Sequence, residues 1–268
     1  AVVALCHSIW VPNRALAQTA ITLDTTVTTT NTSGLAVADG VGSVTITFDP
    51  SGGAITVGAD ATAAITSNET DNAVTLLAGD DGGTVGNITN FAGDVVAAGG
   101  GNITIQIGET GVGRNAHLEI QGNVTETSGA ITITVGDGSA ESTNNDAILN
   151  IDSANDENLT IAAAIDGDGT GNDTATLAIT DSEDSTVADS ITFSGNIGAT
   201  NQLDTITVGS TTEAGSAVFQ GTVAATNITV TGGDHAAEDS AAEFQDSLSA
   251  TTITLDEVNA TATIIFNA

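Results

Sequence analysis

The sequence predicts an all-β protein, a parallel β-helix (β-solenoid) of roughly eight coils. Three observations carry this expectation. Short apolar strands recur in two interleaved series along almost the whole chain. One is indexed by Ile46, Leu76, Ile105, Ile133, Ile161, Phe193, Phe219, Phe244 and Phe266, at spacings of 30, 29, 28, 28, 32, 26, 25 and 22 residues. The other, between them, is indexed by Val57, Ile88, Ile120, Ile151, Ile179, Val208, Val230 and Leu255. Second, Thr, Asn, Gln or small residues alternate with the apolar ones inside each strand, as in Ile131-Thr132-Ile133-Thr134-Val135, which is the pattern of a strand with one buried face. Third, aromatics are only 3% and Gly reaches 31 residues. A large globular core is hard to build from such residues, whereas a solenoid buries only a thin stack in each coil.

From the N-terminus, residues 1–17 read as a signal-peptide remnant or an N-terminal anchoring segment. AVVALCHSIWVP is apolar, and Ala15-Leu16-Ala17 before Gln18 is an A-x-A cleavage pattern. The stretch is too short to span a bilayer. Cys6, the single cysteine, lies inside it, so cleavage would leave a chain without disulfides. Leu5 is a poor residue to precede a lipidated cysteine. The solenoid domain is then 18–268.

Within that domain Thr favours the extended backbone through its branched Cβ. Only two prolines occur, Pro12 and Pro50, so long ladders are not interrupted. Stacked coils lie about 4.8 Å apart, which makes a rod on the order of 40 Å long. Phe193, Phe219, Phe244 and Phe266 are expected to stack in register inside it. Turns are long in the middle coils, as in 136–146 and 166–173, and tight in the last ones. The strand Ala262-Thr-Ile-Ile-Phe266 has no polar cap, so either the polypeptide continues or another subunit docks there, and head-to-tail docking is expected, with 1–10 and 20–30 as its complements. The alternative fold is an antiparallel β-sandwich of hairpins, which also uses many short strands with turn signals.

Charge excludes several partners. There are 34 acidic residues against two arginines, Arg14 and Arg114, for a formal net charge of -32. Nucleic-acid binding requires Lys and Arg to displace counterions from phosphates, and this chain has no Lys and only two Arg. Anionic head groups repel it, so no membrane insertion of the mature domain is expected. Self-repulsion on this scale calls for screening by salt or bound cations, which extracellular conditions supply.

The repeated ITV-Gly and Phe-x-Gly strands, the Asp/Gly-rich turns, the absence of Lys and the leading apolar segment resemble secreted bacterial β-solenoid surface proteins. These include surface-layer proteins, large adhesins and autotransporter passengers. The resemblance covers 20–268 and rests on composition and repeat style. It implies an extracellular structural or adhesive role, often with Ca²⁺, and fixes no functional residue.

One turn has the residues of a cation site. Asp166, Asp168, Asn172 and Asp173 place four side-chain oxygen donors in eight residues with three glycines between them, and Ca²⁺ takes several oxygen ligands from a tightly folded loop. Softer candidates are Asp80-Asp81, and Asp152, Asp156 and Glu157 with Asp181 and Asp184. The competing reading is a set of solvated acidic turns.

Catalysis is not expected. A lyase needs a base and cations to hold an acidic sugar, and Arg114 cannot supply both. A carboxylate pair for glycoside hydrolysis is possible among so many acids and is therefore uninformative. His117 and His235 are far apart with no second His or Cys nearby, as zinc would require. Nine Asn-x-Ser/Thr sequons occur, many of them by-products of strands beginning Asn-Ile-Thr. The sequence therefore points to a non-enzymatic extracellular structural protein that assembles with itself into a surface layer or filament. The alternative is an adhesin or passenger fragment showing acidic loops to a partner such as a cell-surface glycan. A carbohydrate-active β-helix enzyme is third.

Overall fold

The computed structural model describes residues 18–59, 62–79, 88–108, 115–136, 146–153, 158–169, 174–182, 189–235 and 238–267. The expected segment 1–17 lies outside them. Successive turns of the chain supply β1 (Thr19–Ile21) and β2 (Thr25–Val27); β3 (Leu35–Val37), β4 (Val44–Phe48) and β5 (Ile55–Val57); β6 (Ala63–Ser67), β7 (Val74–Ala78) and β8 (Thr89–Phe91). Next come β9 (Asp94–Ala97), β10 (Ile103–Ile107) and β11 (Ala116–Ile120); β12 (Val124–Glu126), β13 (Ile131–Val135) and β14 (Asp146–Asp152); β15 (Leu159–Ile161), β16 (Ala164–Gly167) and β17 (Thr174–Thr180). The last turns hold β18 (Ser190–Phe193) and β19 (Leu203–Val208); β20 (Ser216–Phe219) and β21 (Val223–Gly232); β22 (Ser240–Phe244), β23 (Leu248–Glu257) and β24 (Ala262–Phe266).

These strands form three sheets of ten, six and eight strands, each built by stacking one strand per turn. Every pairing between named strands is parallel. Among the described residues the one antiparallel contact is the isolated bridge Asp181–Ala214. The fold is thus a β-solenoid, and the sandwich of hairpins is not supported.

The solenoid has three faces, one more than the two series suggested. The first runs from β1 to β24, the second from β2 to β16, and the third from β5 to β23. Five turns have a strand on all three faces, and the first turn reaches the third face through the bridge Asn31–Val57, which gives a solenoid of about six such turns, so the expectation of roughly eight coils is slightly off. The reason lies beyond β16. There the second face shrinks to a bridge at Ile197, which links Ile165 to Val223, and the ten-residue strands β21 and β23 continue straight into the third face.

This also breaks the first sequence series in two. Ile46, Leu76, Ile105 and Ile133 are stacked on the second face, where Ile133 then meets Ile165. Ile161, Phe193, Phe219, Phe244 and Phe266 belong to the first face. The second series holds from Ile120 to Leu255. Its early member is Phe91, not Ile88, because Phe91 pairs with both Val57 and Ile120.

Alternation does the burying. Strand after strand shows buried residues at every second position, as in β4, β7, β10 and β11. The inward Ile, Val, Leu and Phe form one continuous core along the rod. Two aromatic groups fill it. Phe48 packs edge-on against Phe91 with ring centroids 5.1 Å apart. Phe193, Phe219, Phe244 and Phe266 stack in sequence with separations of 5.1, 4.9 and 5.9 Å. The first three rings are buried. Phe266 is 62% exposed, so the ladder reaches the surface at that end instead of staying inside.

Candidate functional site: an acidic corner

A group of polar side chains lies at the corner where the third face ends and each coil turns back to the first. The strands of that face carry Val, Ile or Phe inward up to their last turn, and the next one or two residues are polar. Gln121 follows β11, Asp152 closes β14, and Asp181 follows β17. Glu213 lies in the turn between β19 and β20, and Asp234, His235 and Glu238 lie between β21 and β22. Parallel registers stack the strand ends that lead into these positions, one per coil.

Two of the acids are almost wholly buried, Asp152 at 3% and Asp181 at 2% exposure. A buried carboxylate is tolerable only when hydrogen bonds replace its water. Asp152 accepts from the Ser182 backbone N–H at 2.9 Å, the Ser182 hydroxyl at 2.8 Å and the Gln121 amide at 3.3 Å. Asp181 accepts from the Asp189 N–H at 3.2 Å, and its own N–H donates to the Ala214 carbonyl at 2.9 Å. Each acid therefore ties its coil to a neighbouring turn.

Above them opens a cleft of about 340 Å³ lined by Asp181, Ser182, Thr212, Glu213, Ala214, His235 and Glu238. Burial raises the Glu213 carboxyl above the ordinary carboxylate range, and the charges of Asp152, Asp181 and Glu238 push it further. Glu119, on the outer side of β11, is raised in the same way, by burial first and then by Asp152, while a hydrogen bond to Asn150 acts in the opposite sense. His235 is held above its ordinary value by Asp234 and Glu238, whose oxygens lie 2.8 and 3.2 Å from its Nδ1. Asp234, His235 and Glu238 bring their donor atoms within 4.8 Å of one another, close enough to share a proton or an ion. His117, two residues before Glu119 on the outer side of β11, is instead lowered by burial.

The turn expected to bind Ca²⁺ is only partly described. Asp166 projects from the outer side of β16, and its Oδ1 accepts the Thr200 and Asn201 N–H groups at 2.9 and 3.4 Å. It thus caps the following turn. Asp168 follows at the end of β16, and its carbonyl is 3.5 Å from the Asn201 amide nitrogen. Asn172 and Asp173 lie outside the described residues, as do Asp80, Asp81, Asp156, Glu157 and Asp184. Of the softer candidates, Asp152 and Asp181 do belong to the same corner. Sequence reasoning did not connect Glu213 or the turn 234–238 with them. Their spacing by one coil each was the available signal.

No protein-family model, curated protein or solved structure matches this chain.

Proposed function

We propose that this chain is a non-enzymatic extracellular structural protein that assembles with itself into a layer or filament. The observation that supports the reading is the surface presented by β23 and β24. Ile253, Leu255 and Phe266 are 44, 52 and 62% exposed, yet their register partners one coil below, Ile228, Val230 and Phe244, are buried. Among the described residues no further strand pairs with the open edges of β23 and β24, so this surface is a coil interface with one side filled. Another coil of matching pattern completes it. Supplied by a second copy, that coil adds in the same sense as every coil below it, and repetition gives an open polymer. Mutual repulsion of chains at -32 each is offset by salt or Ca²⁺, with Asp166, Asp168, Asn172 and Asp173 as the proposed cation ligands.

The alternative is an adhesive module, for which the acidic corner is the supporting feature, since it gathers carboxylates from successive coils on one edge. Sedimentation and electron microscopy of the chain in high salt with Ca²⁺ separate the two. Self-assembly expects polymers that disappear in Phe266→Asp and in Leu255→Lys. A monodisperse monomer for the unaltered chain under those conditions would overturn the reading.

A further inference from the structure

The corner acids form a seam that crosses five successive turns. Glu119, Asp152, Asp181, Glu213 and Glu238 each come from a different turn. Both arginines, Arg14 and Arg114, fall outside the described residues, so the described part of the seam meets no basic side chain except histidine. We propose that this seam is an acid-responsive latch, in which proton uptake by Glu119 and Glu213 tightens the coils from β11 to β22.

The geometry assigns different roles to the five acids. Asp152 and Asp181 are enclosed and fixed by donors from neighbouring turns, so they act as ties between coils. Glu213 faces the cleft, with Asp181 and Glu238 in its walls. Glu119 is half-buried, accepts from the Asn90 amide at 2.9 Å and lies on the strand beside the one that ends in Asp152. The charged groups bearing on Glu119 are Asp152 and Glu213; those bearing on Glu213 are Asp152, Asp181 and Glu238. Burial lowers His117 on the strand of Glu119, and His235 at the rim is already paired with Asp234 and Glu238. Among the described residues no Lys or Arg faces the two glutamates.

Both glutamates hold a proton more tightly in the folded chain than in the unfolded one, so folding takes up protons. Below their ordinary value of 4.5 both states are protonated and the seam carries no penalty. As pH rises through the higher folded-state values, the folded chain must give up protons that the unfolded chain has already lost. Stability therefore falls toward neutral pH. The loss is local, because the repulsion acts on the turn that carries Glu213 and on the turns that bound the cleft.

The test compares thermal unfolding and amide-exchange protection of the full chain at about pH 4.5, the ordinary carboxyl value, and at about pH 7.5, at one ionic strength. The midpoint is expected to be higher at the lower pH, with the gain in protection concentrated around Ser182, Gly215 and Gly233. Glu213→Gln and Glu119→Gln, each retaining an acceptor, are expected to raise the midpoint at the higher pH and at least halve its dependence on pH. Asp71→Asn removes one exposed charge away from the seam and is expected to leave that dependence unchanged. An equal effect of Asp71→Asn and the two glutamate variants would overturn the latch in favour of general repulsion. So would a pH dependence that neither glutamate variant reduces, or protection gained evenly along the rod.

Discussion

Phe219 lies over Phe244 with ring centroids 4.9 Å apart and planes 13° from parallel, one coil separating them. That separation is the strand spacing of a parallel sheet, so the rings repeat the ladder of the backbone inside the core. Because the same residue recurs at the same inward position, each ring fills the space left by the one below.

Removing a middle ring leaves a void that its neighbours cannot close without breaking register. Phe219→Ala is expected to destabilise the chain by about 3–5 kcal/mol, read from chemical denaturation. Phe266→Ala is expected to cost clearly less, because that ring is largely in water already. Equal losses for the two would show that the ladder is not the source of the effect.

Close contact between coils also depends on glycine. A Cβ on Gly195 would stand 2.0 Å from the Ala163 carbonyl oxygen of the preceding coil. Since that neighbour is backbone, the corner itself has to move. Gly195→Ala is expected to lower stability by about 1–3 kcal/mol, with exchange protection lost first near Ala163 and Ile197.

Asp166 provides a test of the cation proposal. Its carboxylate accepts the Thr200 and Asn201 N–H groups, so Asp166→Ala is expected to destabilise the chain by about 1–3 kcal/mol even in a chelator. If the turn also binds Ca²⁺, saturating Ca²⁺ raises the melting midpoint of the unaltered chain above its value in EGTA at fixed ionic strength, and the variant loses that increment. Identical midpoints with and without Ca²⁺ in the unaltered chain would remove the cation from the account.

Much of the architecture was legible because alternation and recurrence are printed directly in the strands. The third-face column from Ile120 to Leu255 and the phenylalanine ladder follow from like residues at like offsets. The extra face was not legible. Its strands Leu35–Val37 and Val124–Glu126 have three residues each, too few for alternation to separate them from turns. Ile88 stood in for Phe91 because the Asn-Ile-Thr motif marks strands elsewhere, whereas here the inward positions start one residue later, at Thr89. The corner was hidden by abundance. Among 34 acids, Glu213 and Glu238 carry no local signature, and only the winding of the backbone selects them.

The fading of the second face has a mechanical consequence. Coils measured between register partners take 28 to 32 residues from Ile46 to Ile165, and 26, 25 and 22 residues from Phe193 to Phe266. The girth narrows, and where three walls met at angles, β21 and β23 each sweep through a corner as one continuous strand. Bending rigidity of a beam climbs steeply with its width, so the C-terminal turns are the compliant stretch of an otherwise stiff shaft. A sideways load on the shaft is absorbed as flexure there, next to the exposed phenylalanine, while the broader turns keep their shape.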